Sequence, residues 1–204
     1  MISVATCLWD ANDRSQSFSR CYDETWVERL YRGFARNLTQ PFRFVVFTDR
    51  ARQFSEGIEQ ERLATSDPHY GCCVEPFRLD APMIFAGLDT VIIGNIDHMA
   101  AWCHRTNILG LPKHPYEPVA INGVVLAPKG MRAVFDRWQG ENDMDWMRKH
   151  PHRFLDDLFP GQVVSYKAHV RGRGVPEGAR IVYFHGNPKM QDAMNEPFVR
   201  DHWR

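Results

Sequence analysis

The chain has 204 residues, 44% of them hydrophobic and 25% charged, and its 25 basic and 25 acidic side chains cancel. This size and composition fit one globular domain with its own core and exclude a disordered chain. The neutral balance excludes general binding to a nucleic-acid backbone, which needs a broad basic face, and no apolar run is long enough to cross a bilayer.

Ile2 to Trp9 reads as a short buried strand closed by Asp10, Asn12 and Asp13. The stretch has no basic leader, so it is read as a strand and not as a signal peptide. Ser15 to Asp23 is polar and reads as loop. Val27, Leu30, Tyr31, Phe34 and Leu38 then recur at helical spacing, with charged residues between them, which predicts an amphipathic helix from Glu24 to Leu38. Arg43 to Thr48 is a second strand. Strand, helix and strand at this spacing make a βαβ unit and argue for a parallel sheet with a right-handed crossover.

Residues 51–73 carry little pattern. Further strands are expected at Pro82–Ala86, Val91–Ile93, Ile108–Leu111 and Val119–Ala127, and late ones at Val163–Tyr166 and Ile181–His185. Residues 129–158 read as mostly helical, with Met131, Val134, Phe135 and Trp138 on one face. No internal repeat, low-complexity tract or linker divides the chain, so one α/β domain over residues 1–204 is expected, with a mostly parallel central sheet flanked by helices. The five cysteines form no CxxC pair, and Cys72 and Cys73 are adjacent. They read as reduced thiols of a cytoplasmic protein.

In open α/β sheets, ligands bind beyond the carboxyl ends of the strands. The residues so placed are Asp10 and Asn12 after the first strand, Thr48 and Asp49 after the second, Asp89 after Met83–Ala86, and His185 after Ile181–Phe184. An Asp and a His from two strand ends can share a divalent cation whose shell is completed by phosphate oxygens and water. The alternative for any one of them is structural: a strand-end Asp serves as a turn or helix cap. Lys167, His169, Arg171, Arg173 and Arg180 are offset locally only by Glu177. That segment can meet a diphosphate or can be a solvated loop.

GLDTVIIGNID, Gly87 to Asp97, resembles the stretch reading DLDTVIVGDID in glycosyltransferase family 8 and related small bacterial and phage proteins. IVYFHGNPKM, Ile181 to Met190, is similar to that family's HF-x-G-x-x-KPW element. LYRGFARNL, RFVVFTDR and VVSYKAH agree in order and spacing. The resemblance covers most of the chain and implies a GT-A, Rossmann-like fold. It also implies transfer of a sugar from a nucleoside diphosphate sugar, UDP-linked, to an unidentified acceptor, with Mn²⁺ or Mg²⁺ as cofactor and retention of configuration.

Residue by residue, the resemblance implies that Asp89 and His185 ligate the metal. Lys189 contacts phosphate and Gly186 lets backbone approach it. Thr6, Cys7 and Leu8 hold uracil and ribose, with Leu88 beside them. Asp143 and Asn122 act near the acceptor, and Asp89, Asp143 and Asn122 form the expected catalytic set. The chain departs from the family at Gly87, where the first Asp of the pair is expected. It departs again at Gly71–Cys72–Cys73, in place of Trp-Ser-Lys, and at Met144, in place of Gln. Three functions stay open on the sequence: a transferase, a protein that binds nucleotide sugar or glycan without turnover, and a nucleotide-sugar hydrolase.

Overall fold

The computed structural model describes residues 1–204. Its first strand, β1 (Ile2–Leu8), is buried along its whole length, and alternate residues feed two cores. Ile2, Val4 and Leu8 enter a large hydrophobic cluster on one face, while Ala5 and Cys7 enter a smaller cluster on the other. β2 (Phe42–Thr48) divides the same way, with Phe44 and Val46 on one side and Val45 and Phe47 on the other. Burial on both faces is why these strands read as continuous apolar runs rather than as alternations.

α1 (Glu24–Asn37) covers the larger cluster with Trp26, Val27, Leu30, Gly33 and Phe34. Asp23 caps it by accepting a hydrogen bond from the Thr25 backbone N–H at 3.0 Å. Full burial of each large apolar side chain stabilises the fold by about 1.5–3 kcal/mol.

The remaining strands are β3 (Glu59–Arg62), β4 (Met83–Ala86), β5 (Thr90–Ile92), β6 (Leu109–Leu111), β7 (Val124–Ala127), β8 (His152–Phe154), β9 (Val163–Ser165) and β10 (Ile181–Tyr183). Seven strands form a central sheet in the order β3-β2-β1-β4-β7-β6-β8. All of its neighbours pair parallel except those of β7, which runs against β4 and β6. The other helices are α2 (Asp97–Cys103), α3 (Ala133–Asp136), α4 (Asp143–Arg148), α5 (Leu155–Leu158) and α6 (Pro197–His202). No helix is long and apolar enough to cross a membrane.

Several elements differ from the sequence expectation. β5, β9 and β10 leave the central sheet and form a second sheet, with β5 and β10 antiparallel. β3, at the edge, reads Glu-Gln-Glu-Arg and is fully exposed, so it has no apolar period to reveal it. Charged edge strands of this kind resist pairing with other chains. Residues 129–158 are not one helical stretch. Gly130 and Gly140 take positive φ (87° and 94°), Asn142 starts a new helix, and Pro151 precedes the strand β8. Residues 112–121 do not extend β7. They form a loop closed by Ile121 N–H donating to Pro112 O at 2.9 Å and His114 N–H donating to Val119 O at 2.7 Å.

Candidate active site

The turn Gly87–Leu88–Asp89 carries the chain from β4 in the central sheet to β5 in the second sheet. The second sheet places the rest of the site. β10 runs antiparallel to β5 with Tyr183 opposite Thr90, so Phe184 lies beside Asp89 and its N–H donates to Asp89 O at 3.3 Å. His185 follows at the rim. β9 runs parallel to β10 with Ser165 opposite Tyr183. The turn after it, Tyr166–Val170, carries Lys167 to the same rim, while His169 accepts from the Ser165 backbone N–H at 3.1 Å.

Between the two sheets lies a cleft of about 700 Å³. Thr6, Cys7, Leu8, Leu88, Asp89, Asn122, Asp143, His185, Gly186 and Lys189 all line it. They come from separate parts of the sequence, and the fold brings every one of these expected site residues to one place. Of the basic segment, Lys167 lines the cleft, whereas Arg171, Arg173 and Arg180 do not. Asp10 and Asn12, Thr48 and Asp49, the other strand-end candidates, also lie outside it. Asp10 and Asp49 bind Arg52 at 3.0 and 2.7 Å, Thr48 accepts from Arg52 at 2.6 Å, and Asn12 holds Pro68 O at 2.8 Å. These four are structural.

The charged groups divide the cleft. On one side, Asn122 Nδ2 donates to Asp143 Oδ2 at 2.6 Å. Burial raises the Asp143 carboxyl above its ordinary range, against the pull of Asn122. On the other side, Lys189 Nζ sits 3.4 Å from Asp89 Oδ2 and 3.9 Å from the centre of the Phe18 ring. Burial also raises Asp89, opposed by Lys189. The His185 Nε2 is 2.8 Å from Ser165 Oγ, and its ring packs edge-on to His114 at 5.5 Å. Burial, then the charges of His114, Lys167 and Lys189, push His185 down to about 4, so its imidazole is neutral at physiological pH.

Gly186 has φ of +59°, and a Cβ placed there would lie 3.8 Å from Lys167 Nζ. Backbone in this conformation, close beneath an ammonium, suits a bound anion. Two residues that line the cleft, Thr6 and Tyr22, carry buried hydroxyls, Thr6 Oγ1 and Tyr22 Oη, that have no protein hydrogen-bond partner.

The residues do not fit the divalent-cation site that the family resemblance implies. No three His, Cys, Asp or Glu side chains come together in a way that could hold a metal ion. Gly87 removes one carboxylate, Lys189 engages the other at Asp89, and His185 is bonded to Ser165 and flanked by cations. Gly87 is not demanded by backbone strain, since its φ lies outside the left-handed region. Gly71, by contrast, is required by packing: a Cβ there would come within 2.7 Å of Glu141 O and of the Trp138 ring. Cys73 and Met144, the other departures from the family pattern, both line the cleft.

Sequence reasoning missed part of the lining. Phe18 and Tyr22 come from a loop of low apolar periodicity, and Tyr70 stacks on Phe18 at 5.9 Å. His114 and Tyr116 come from the 112–121 loop, where Tyr116 is 61% exposed although it is large and aromatic. Only the fold shows that these segments face the cleft.

The sequence matches no protein-family model, and no curated protein matches it. Among solved structures it is similar to the galactosyltransferase LgtC, determined in complex with donor and acceptor sugar analogs. The identity is 10%, the TM-score 0.60, and the match covers 97% of this chain and 93% of that one. The chain therefore has the GT-A fold: a mixed α/β architecture whose mostly parallel, seven-stranded sheet is flanked by helices.

Proposed function

We propose that this chain is a glycosyltransferase whose donor is a nucleoside diphosphate sugar, UDP-linked, and whose 204 residues form one catalytic domain. The observation that carries this reading is the convergence of Thr6–Leu8, Gly87–Asp89, Asn122, Asp143 and His185–Lys189 on one cleft, on the fold shared with a galactosyltransferase. The position is the one that open α/β sheets use for ligands.

In this reading Thr6, Cys7 and Leu8 meet the base and ribose. Breaking the anomeric C–O bond leaves charge on the departing diphosphate. Lys189 and Lys167 stabilise that charge where it develops. The Asp143 carboxylate, oriented by Asn122, accepts a hydrogen bond from a hydroxyl of the sugar or acceptor. An exposed aromatic, Tyr116, at the rim gives an acceptor sugar a surface to stack on. A specific feature favours a second reading, a protein that holds the donor without transferring it. Cys73 and Met144 each place an uncharged side chain in the cleft where the family pattern has a charged or polar one, and Gly87 leaves the cleft without the carboxylate expected there.

A thermal-shift panel of nucleoside diphosphate sugars tests donor binding. At 100 times Kd a ligand stabilises the folded state by about 2.7 kcal/mol, a shift of roughly 5–10 °C for a chain of this size. The reading expects such a shift with UDP-linked sugars, and its absence across UDP- and GDP-linked donors overturns it.

A further inference from the structure

We infer that this cleft binds the donor diphosphate through two lysine ammonium groups, Lys167 and Lys189, in place of a divalent cation. The inference rests on the donor reading above and names how that site holds its ligand.

Three features carry it. The first is the donor set. With Gly87 in place of a carboxylate, the Gly87–Leu88–Asp89 turn offers one acid, Asp89, and it already has a cation partner in Lys189 at 3.4 Å. Both side chains are largely shielded, at 12% and 15% exposure. A divalent ion bound to Asp89 has to displace this ammonium or sit against it.

The second feature is the anion cradle. Gly186, in the left-handed conformation, lies beneath Lys167 Nζ. Lys189 is three residues further on, held from the other side by the face of Phe18. His185, immediately before Gly186, has Nε2 on Ser165 Oγ rather than free for a metal. The third is charge. The diphosphate of a nucleotide sugar carries two negative charges, and the two ammonium groups supply two positive ones, with the Asp89 carboxylate opposing. On arrival the diphosphate draws Lys189 from Asp89, an exchange of one charge-assisted contact for another. Asp89 then competes with the ligand for Lys189, the reverse of what a metal-ligating carboxylate does.

The test is calorimetric titration of UDP, and separately of inorganic pyrophosphate, into the full chain with EDTA and with Mn²⁺. The expected result is UDP binding in EDTA, with less than about a threefold gain from Mn²⁺. Lys167→Met and Lys189→Met should each weaken binding about tenfold or more, the scale of one lost charge-assisted contact. Asp89→Asn, which frees Lys189, should tighten it. Circular dichroism melts of each variant separate loss of binding from loss of fold, and Lys189→Arg, which keeps the charge, should retain affinity if the fold holds. UDP binding that appears only with Mn²⁺, or is abolished by Asp89→Asn, overturns the inference and leaves the donor reading standing. Metal-free binding of pyrophosphate without UDP supports the two-lysine cradle and sinks the nucleotide-sugar reading. Binding of neither ligand under either condition overturns both.

Discussion

Arg52 offers a sharp test of how the site's scaffold is held. Its side chain is 2% exposed, yet it donates to Thr48 Oγ1 at 2.6 Å, Asp49 Oδ1 at 2.7 Å, and Glu24 Oε1 and Asp10 Oδ1 at 3.0 Å. Those partners stand at the ends of β1 and β2 and at the start of α1, so one guanidinium ties together the edge from which Cys7 and Leu8 reach the cleft. Arg52→Met keeps most of the volume and removes every donor. Hydrogen bonds to charged groups contribute about 1.5–3 kcal/mol each, but these do not add in full. The three carboxylates are 55%, 28% and 21% exposed and regain water, and Arg50 still binds Asp10 and Glu24. The expected cost is therefore about 2–4 kcal/mol, below the 3–5 of a fully buried pair. That corresponds to a fall in Tm of roughly 5–12 °C. Arg50→Met, whose side chain is 48% exposed, should cost clearly less although it makes similar contacts, because water screens it. Urea titration of the parent and both variants at neutral pH measures the difference. Equal losses from the two substitutions, or a loss below about 1 kcal/mol from Arg52→Met, would refute this account of burial.

Phe34 is fully buried and packs edge-on to Phe44 at 6.1 Å, so Phe34→Ala should cost about 3–5 kcal/mol in denaturant titration. Retained stability would show that α1 does not seal the larger core. His185 is held at about 4 by burial and neighbouring cations, below the 6.5 of a free imidazole. With the folded value depressed, its contribution is present above about 6.5 and is lost as pH falls toward 4, because the unfolded chain takes up a proton that the folded chain refuses. His185→Gln should therefore flatten the fall in stability between those pH values, and parallel curves for parent and variant would contradict the assignment. At Gly87 a Cβ would lie 3.2 Å from Asp89 Oδ1, in a backbone conformation open to any residue. Gly87→Asp should lower Tm in EDTA by placing like charges together and gain a Mn²⁺-dependent rise that the parent lacks. The same Mn²⁺ response in both proteins would count against the reading of Gly87.

The central elements were legible because their physics is local. Buried on both faces, β1 and β2 show as apolar runs, and the spacing of Val27, Leu30 and Phe34 gives α1 its period. β3 was not legible, since Glu59–Arg62 is exposed and charged, and neither was the separation of β5, β9 and β10 into a second sheet, which depends on long-range pairing. The site shows the same division. Asp89, His185 and Lys189 stood out by their motifs. The sequence could not show that Lys189 turns back onto Asp89, or that Asp10 and Asp49 are consumed by Arg52, because each contact joins groups whose partnership only the fold decides. Tyr116 and Phe18 carry no motif and enter the cleft through loop geometry alone.

The most direct test of the central claim is sugar transfer: release of nucleoside diphosphate from a panel of UDP-linked sugars, with and without saccharide acceptors, by the parent, Lys189→Met and Asp143→Asn. Melting curves establish that all three proteins are folded. The expected result is acceptor-stimulated release by the parent with at least one donor, and rates at least about tenfold lower in each variant, since each loses a contact to charge or hydroxyl in the transition state. A parent that binds a donor and releases no nucleoside diphosphate, or that releases it no faster than Lys189→Met, would contradict it.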